Sequence, residues 1–325
     1  PGGSLANRPL NSLKEIFKAW HHQTLASYEE RVKVLREMLR RDVDVSWKLL
    51  KSLLPSFSSE IASLTHRMRW RMFWEATDLS YTYQESFDMY SEVVDMLIGL
   101  CDGDETRFSD LIEAAPDCTP RDRERILTWA QEVVCNIEHK KGQAWHTLRR
   151  ILNHHKQYPD TDWALKGDEL SPFEQLYIQL QPEDVQVRNV WLFNEDHRTQ
   201  MIDPATAIPF EVDGYEEIVG QVATRRKTAV VELLRDLGLE RVLELRGEVK
   251  YPSCLGEALA KVIEDEQDLQ CVWQCLEDDT PYIAFAHGFI SQKLRCEGFS
   301  WMQTLVKELL EKGYSDKAVA NVLVV

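Results

Sequence analysis

Cys271 and Cys275 stand four residues apart in a helical pattern. That spacing sets two thiolates on one helix face, where they could share a metal ion. A structural zinc takes four ligands, and no second pair with zinc-type spacing lies nearby, so both read as buried structural thiols. His21-His22 and His154-His155 are adjacent pairs. Neighbouring side chains diverge, so neither pair forms a two-ligand site, and both read as solvent-facing helix ends. Glu113 with Asp117, and the run Glu277-Asp278-Asp279, are the residue types of general acid–base chemistry. That chemistry needs carboxylates set opposite each other across a cleft, which neighbours at a helix end do not provide. The phosphate-binding loops G-x-x-x-x-G-K-[ST] and G-x-G-x-x-G, the elbow G-x-S-x-G and the zinc motif H-E-x-x-H are all missing. The expectation is a chain without a catalytic residue, metal or cofactor.

Charge says more. The 325 residues carry −16. The first 76 hold 13 Lys/Arg and 8 Asp/Glu, a net of +5, which leaves −21 on the remainder. Polyanions and anionic lipids are therefore poor partners for most of the surface. The basic–aromatic run 66–74, with Arg67, Arg69, Trp70 and Arg71, has the residue types that clamp and stack a single strand, and a nucleic-acid clamp there is the alternative. The clusters Glu264-Asp265-Glu266 and Glu277-Asp278-Asp279 fall at expected helix ends, where they would project from loops towards a basic protein.

The elements that must position these residues are helical. Asn11 or Ser12 can cap a first helix with Leu13, Ile16, Phe17 and Trp20 on one face. Ser27 and Glu30 have the spacing of a capping box ahead of Val32, Leu35, Met38 and Leu39. Asp42 to Asp44 start a helix with Trp47 and Leu50 inward, stopped by Pro55. Further helices are expected over 80–102, with Phe87 inward, and over 105–115. Thr119-Pro120 starts one through Ile126 and Trp129, and another covers 143–155. Ser171-Pro172 restarts by the same capping logic. The non-periodic 195–213 divides a lobe of 1–194 from one of 214–325. In the second lobe Gly238 closes a helix over 214–237, and others follow over 239–246, 255–264, 268–277, 281–296 and 299–312. Ser315 starts a terminal helix whose apolar end is expected to pack inward or to continue in a longer protein. Low Gly and Pro counts, and no alternating run, disfavour a turn-rich sandwich or barrel. The expected fold is all-α: an α-solenoid of degenerate helical hairpins, in the manner of tetratricopeptide or HEAT arrays, in two helical lobes.

The stretch from Gly3 to Phe17, with Trp20, Gln23-Thr24, Trp47-Lys48-Leu49-Leu50, Leu53-Leu54-Pro55, Thr65-His66-Arg67 and Arg69-Trp70-Arg71, resembles a helical region of large bacterial STAND-type NTPases and sirtuin-like or nuclease-bearing anti-phage defence proteins. The resemblance covers the first 75 residues and extends further only in style, as at Trp191-Leu192-Phe193. It is carried by packing residues, so no catalytic residue comes with it. It implies the sensing or scaffolding part of a longer protein.

Together these readings favour a non-catalytic protein-interaction or ligand-sensing module. Its partner is a basic protein or another domain of the same polypeptide. An all-α hydrolase with an acidic site is the competing class. Seven cysteines in apolar patterns are the usage of a reducing cytoplasm, and no run of about 20 apolar residues suggests a membrane span.

Overall fold

The computed structural model describes residues 9–20, 24, 26–55, 82–136, 142–195, 215–278 and 282–325. Of these residues 78% lie in helices, and none lies in a strand, so the fold is all-α. The chain divides into two compact units, Pro1–Leu152 with Leu165–Leu180, and Asn153–Ala164 with Gln181–Val325. Apart from Glu195, the expected linker lies outside the described residues.

The first unit is built of α1 (Pro9–Phe17), α2 (Tyr28–Arg41), α3 (Val43–Leu53), α4 (Tyr83–Leu100), α5 (Glu105–Ala114), α6 (Pro120–Val133), most of α7 (Gln143–Gln157) and α8 (Ser171–Gln179). Local chemistry sets most of the starts. Ser27 Oγ accepts from Glu30 N, while the Glu30 carboxylate accepts from Ser27 N at 2.9 Å, a closed capping box. Asp42 and Thr119 cap α3 and α6, and Pro120 occupies the first turn of α6, where its missing N–H costs nothing. Two starts differ from expectation. α1 opens on Pro9 and not on a capping Asn11 or Ser12, since proline's fixed φ already suits a first turn. Ser171 does not cap α8: a 3-10 turn over Gly167–Glu169 runs into the helix through Leu170, whose backbone is already helical.

α2 packs on α3 and α4, α4 on α6, α6 on α5 and α8, and α1 on α3. Phe17, Leu35, Trp47, Leu50, Val93, Leu97, Phe108 and Ile126 are buried between them. Trp20 is half-buried and stacks on Tyr83, 5.1 Å between ring centres. Phe87 points outward, 47% exposed, against the inward reading. α6 begins beside Ser91, whose hydroxyl donates to Asp122, so Phe87 sits a turn short of cover.

The second unit takes α9 (Val185–Asn189), α10 (Tyr215–Leu245), α11 (Pro252–Leu259), α12 (Glu266–Gln274), α13 (Tyr282–Glu297), α14 (Phe299–Glu311) and α15 (Asp316–Leu323). α10 is broken at Gly238, whose φ of 80° is a conformation that other residues rarely hold. The break is where the two expected helices meet. α11 starts at Pro252 and ends at Leu259, earlier at both ends than the 255–264 reading, because Pro252 serves as its first residue. Ser315 caps α15 by accepting from Ala318 N. Only Ala318 and Val322 of that helix are buried. Leu323 and Val324 are exposed, against the expected inward packing, because eight residues at helical period present a single inward stripe.

Candidate docking surface

Glu264 and Asp265 are exposed in the loop before α12, and Glu266 opens that helix with its side chain outside the described residues. Glu277 and Asp278 are exposed beyond its other end, and Asp279 lies outside the described residues. The nine residues of α12 rise ~13 Å, so the two clusters do not merge into one acidic site. Glu277 has a local task. Its carboxylate accepts from the Ser315 hydroxyl and from Ser315 N at 2.8 Å. Its backbone carbonyl accepts from Lys317 Nζ at 3.2 Å. It ties the start of α15 to the end of α12. Arg67, Arg69, Trp70 and Arg71, the alternative nucleic-acid contacts, fall outside the described residues.

The Ser315 hydroxyl, then the Ser315 backbone N–H, hold the Glu277 carboxyl below its ordinary value of 4.5. A carboxylate with a depressed folded-state pKa stabilises fully above the ordinary value, and that stabilisation fades as pH falls through the depressed one. Amide exchange at Ser315 and Ala318, corrected for intrinsic rates, should therefore quicken between pH ~6 and pH ~3. Glu277→Gln should show the faster exchange already at the higher pH. Equal protection in the variant and the parent would refute the tie.

Several other singled-out groups have local partners, while His21 and His22 lie outside the described residues. Cys275 is buried, and its Sγ donates to Cys271 O at 3.3 Å. No group of three or more His, Cys, Asp or Glu is placed to hold a metal ion among the described residues. His154 is exposed and its ring stacks on Trp163 at 4.4 Å, whereas His155 is buried, against the solvent-facing reading. Glu113 pairs with Lys51 at 3.3 Å. Burial, then the carboxylates of Asp104 and Asp122 respectively, push the Cys101 and Cys118 thiols up to about 12, so neither is a ready nucleophile.

A surface that sequence reasoning missed lies between α4 and α6. Asp122, 1% exposed, anchors it: its carboxylate accepts from Ser91 Oγ at 2.7 Å, Thr119 Oγ1 at 2.9 Å and Arg125 Nη1 at 3.0 Å. The other Arg125 nitrogen, Nη2, pairs with Asp95 on α4. Beyond this bridge a shallow depression of about 370 Å³ opens, lined by Ile98, Glu124, Arg125, Thr128, Trp129 and Glu132. Trp129 is half-buried, its ring 5.6 Å from that of the buried Phe108 and tilted 44° to it. Glu124, Thr128 and Glu132 are exposed at successive i, i+4 positions on α6. Neither glutamate forms an ion pair among the described residues, whereas Arg125 is held by two carboxylates. The sequence signal was present: a carboxylate–hydroxyl–carboxylate row with four-residue spacing runs beside Trp129, which its place in the apolar pattern assigned wholly to the core.

Comparison of the chain with protein-family models, curated proteins and solved structures finds no match. No helix among the described residues is long and apolar enough to cross a membrane.

Proposed function

We propose that the chain is a non-catalytic, cytoplasmic helical module that binds a protein partner on the α4–α6 face. One observation carries this reading: a half-buried tryptophan lines a side-chain-sized depression together with two exposed carboxylates that form no ion pair among the described residues. Aromatic anchors in shallow pockets, ringed by polar groups, are where protein interfaces concentrate their binding free energy. The packing order supports a degenerate solenoid within each unit. α2, α4, α6 and α8 touch in succession in the first, as do α11, α13 and α15 in the second, the next-neighbour pattern of stacked helical hairpins. Such stacking leaves alternate helices to line one face. The resemblance of the first 75 residues suggests a setting, the sensing or scaffolding part of a larger bacterial defence protein.

A photo-cross-linking amino acid at Thr128 tests the reading, with Lys48 on α3 as the exposed control. In cells that make the protein, position 128 should trap a defined partner that position 48 does not. The partner, purified, should bind the parent protein in calorimetry, and Trp129→Ala should weaken binding by ~2 kcal/mol or more. Equal cross-linking at both positions would remove the face from consideration.

A further inference from the structure

The chemistry of the α4–α6 depression also selects what can sit in it. Trp129 and Ile98, both half-buried, line it. A flat aromatic face attracts a cation, and a guanidinium can stack on it as well. Its rim places Glu124 and Glu132 one helical turn, ~6 Å along the axis, to either side of Thr128. Both glutamates line the depression, so two carboxylates border whatever enters it. Arg125 lines one wall, but Asp122 and Asp95 already hold it. The formal charges of these five side chains sum to −3.

This charge rules out an anion. A purely apolar side chain would suit Trp129 and Ile98, yet would strip water from two carboxylates and offer them nothing. A lysine ammonium would satisfy one carboxylate as a point charge. A guanidinium is planar and forked, so it can lie on the indole and present N–H groups to both rims at once.

Building on the docking reading above, we infer that the depression between α4 and α6 recognises an arginine side chain of the protein partner. Trp129 stacks on the guanidinium, and Glu124 and Glu132 accept its hydrogen bonds.

The test uses the full chain, labelled with ¹⁵N, and follows the indole Nε1–H resonance of Trp129, identified by its loss in Trp129→Phe. The probes are N-acetyl-arginine methylamide and its uncharged counterpart, N-acetyl-citrulline methylamide. A lone side chain binds weakly, so the arginine amide should shift this resonance saturably with a Kd of ~1–10 mM. The citrulline amide should not. Glu124→Gln with Glu132→Gln leaves α6 unchanged in length and shape and should weaken the arginine amide ~3–10-fold. Added salt should weaken it further, since the rim is exposed. A resonance that stays in place, or moves equally with both amides, overturns the arginine site. A cross-link from Thr128 alongside an unmoved resonance would overturn this inference alone and leave the docking reading standing. A saturable arginine shift without any cross-link would support the site and count against that reading.

Discussion

Replacing Gly256 or Gly288 with alanine should destabilise the protein by at least ~3 kcal/mol, a larger loss than ordinary overpacking brings. α11 and α13 cross backbone to backbone at these two residues. A Cβ on Gly256 would stand 2.0 Å from Phe285 O and 2.9 Å from Phe289 N, and one on Gly288 would stand 2.0 Å from Ser253 O. Non-bonded heavy atoms attract only from ~3.5 Å outward. The obstacle is main chain in each case, so no rotamer change relieves it and the helices must part. Parting them loosens Leu255, Leu259, Phe285 and Phe289, all fully buried. An opposing effect exists: alanine gains ~1 kcal/mol over glycine inside a helix. Gly220 on α10 measures that gain alone, since nothing lies within 4 Å of its added Cβ. Gly220→Ala should therefore raise the urea midpoint slightly, while Gly256→Ala lowers it sharply and speeds amide exchange across α11 and α13. The double variant should fall short of the sum of the single losses, because helices already parted leave room for the second methyl. If Gly256→Ala behaved as Gly220→Ala does, the close crossing would be wrong.

The contrast between those glycines marks what could be read from the chain alone. Gly238 was legible because its task is local: it ends a helical stretch in a backbone conformation that glycine favours. The Ser27–Glu30 box, the Asp42 and Thr119 caps and the Ser315 cap were legible for the same reason, each being a bond between residues a few positions apart. Gly256 carries no such mark. Inside a helix it reads as a small cost, and its reason sits on a segment some thirty residues away. Glu277 likewise reads as one of three solvated acids until Ser315 is placed beside it. The candidate site was half legible. Trp129 was found as an inward residue of α6, but how far α4 covers it depends on the separation and pitch of two helices, which periodicity does not encode. The same holds for Phe87, read as core from its position yet lying past the end of its neighbour.

Trp47→Ala should cost ~3–5 kcal/mol, the usual result of emptying a buried tryptophan site. In a unit of this size that corresponds to a fall in Tm of roughly 6–20 °C. The residue is 6% exposed, on a helix that packs against α1, α2 and α4. Two polar contacts fix its orientation. Its Nε1–H donates to Asp110 Oδ2 at 2.9 Å, and the Arg107 guanidinium lies 5.6 Å from the ring centre. Lys51 Nζ pairs with the other oxygen of Asp110 at 2.5 Å, so removing the indole does not leave that carboxylate alone. Most of the loss should therefore come from the cavity. Trp47→Phe separates the contributions: it keeps an aromatic ring in the core but drops the Nε1–H, and should cost only ~1–2 kcal/mol. Arg107 retains Asp44 at 2.7 Å and the Leu100 carbonyl at 2.9 Å in both variants, so its position should hold. A Trp47→Ala protein as stable as the parent would mean that α3 is rotated away from this core. Equal losses for Trp47→Phe and Trp47→Ala would instead assign the stability to the Asp110 bond, and so to the polar bridge between α3 and α5.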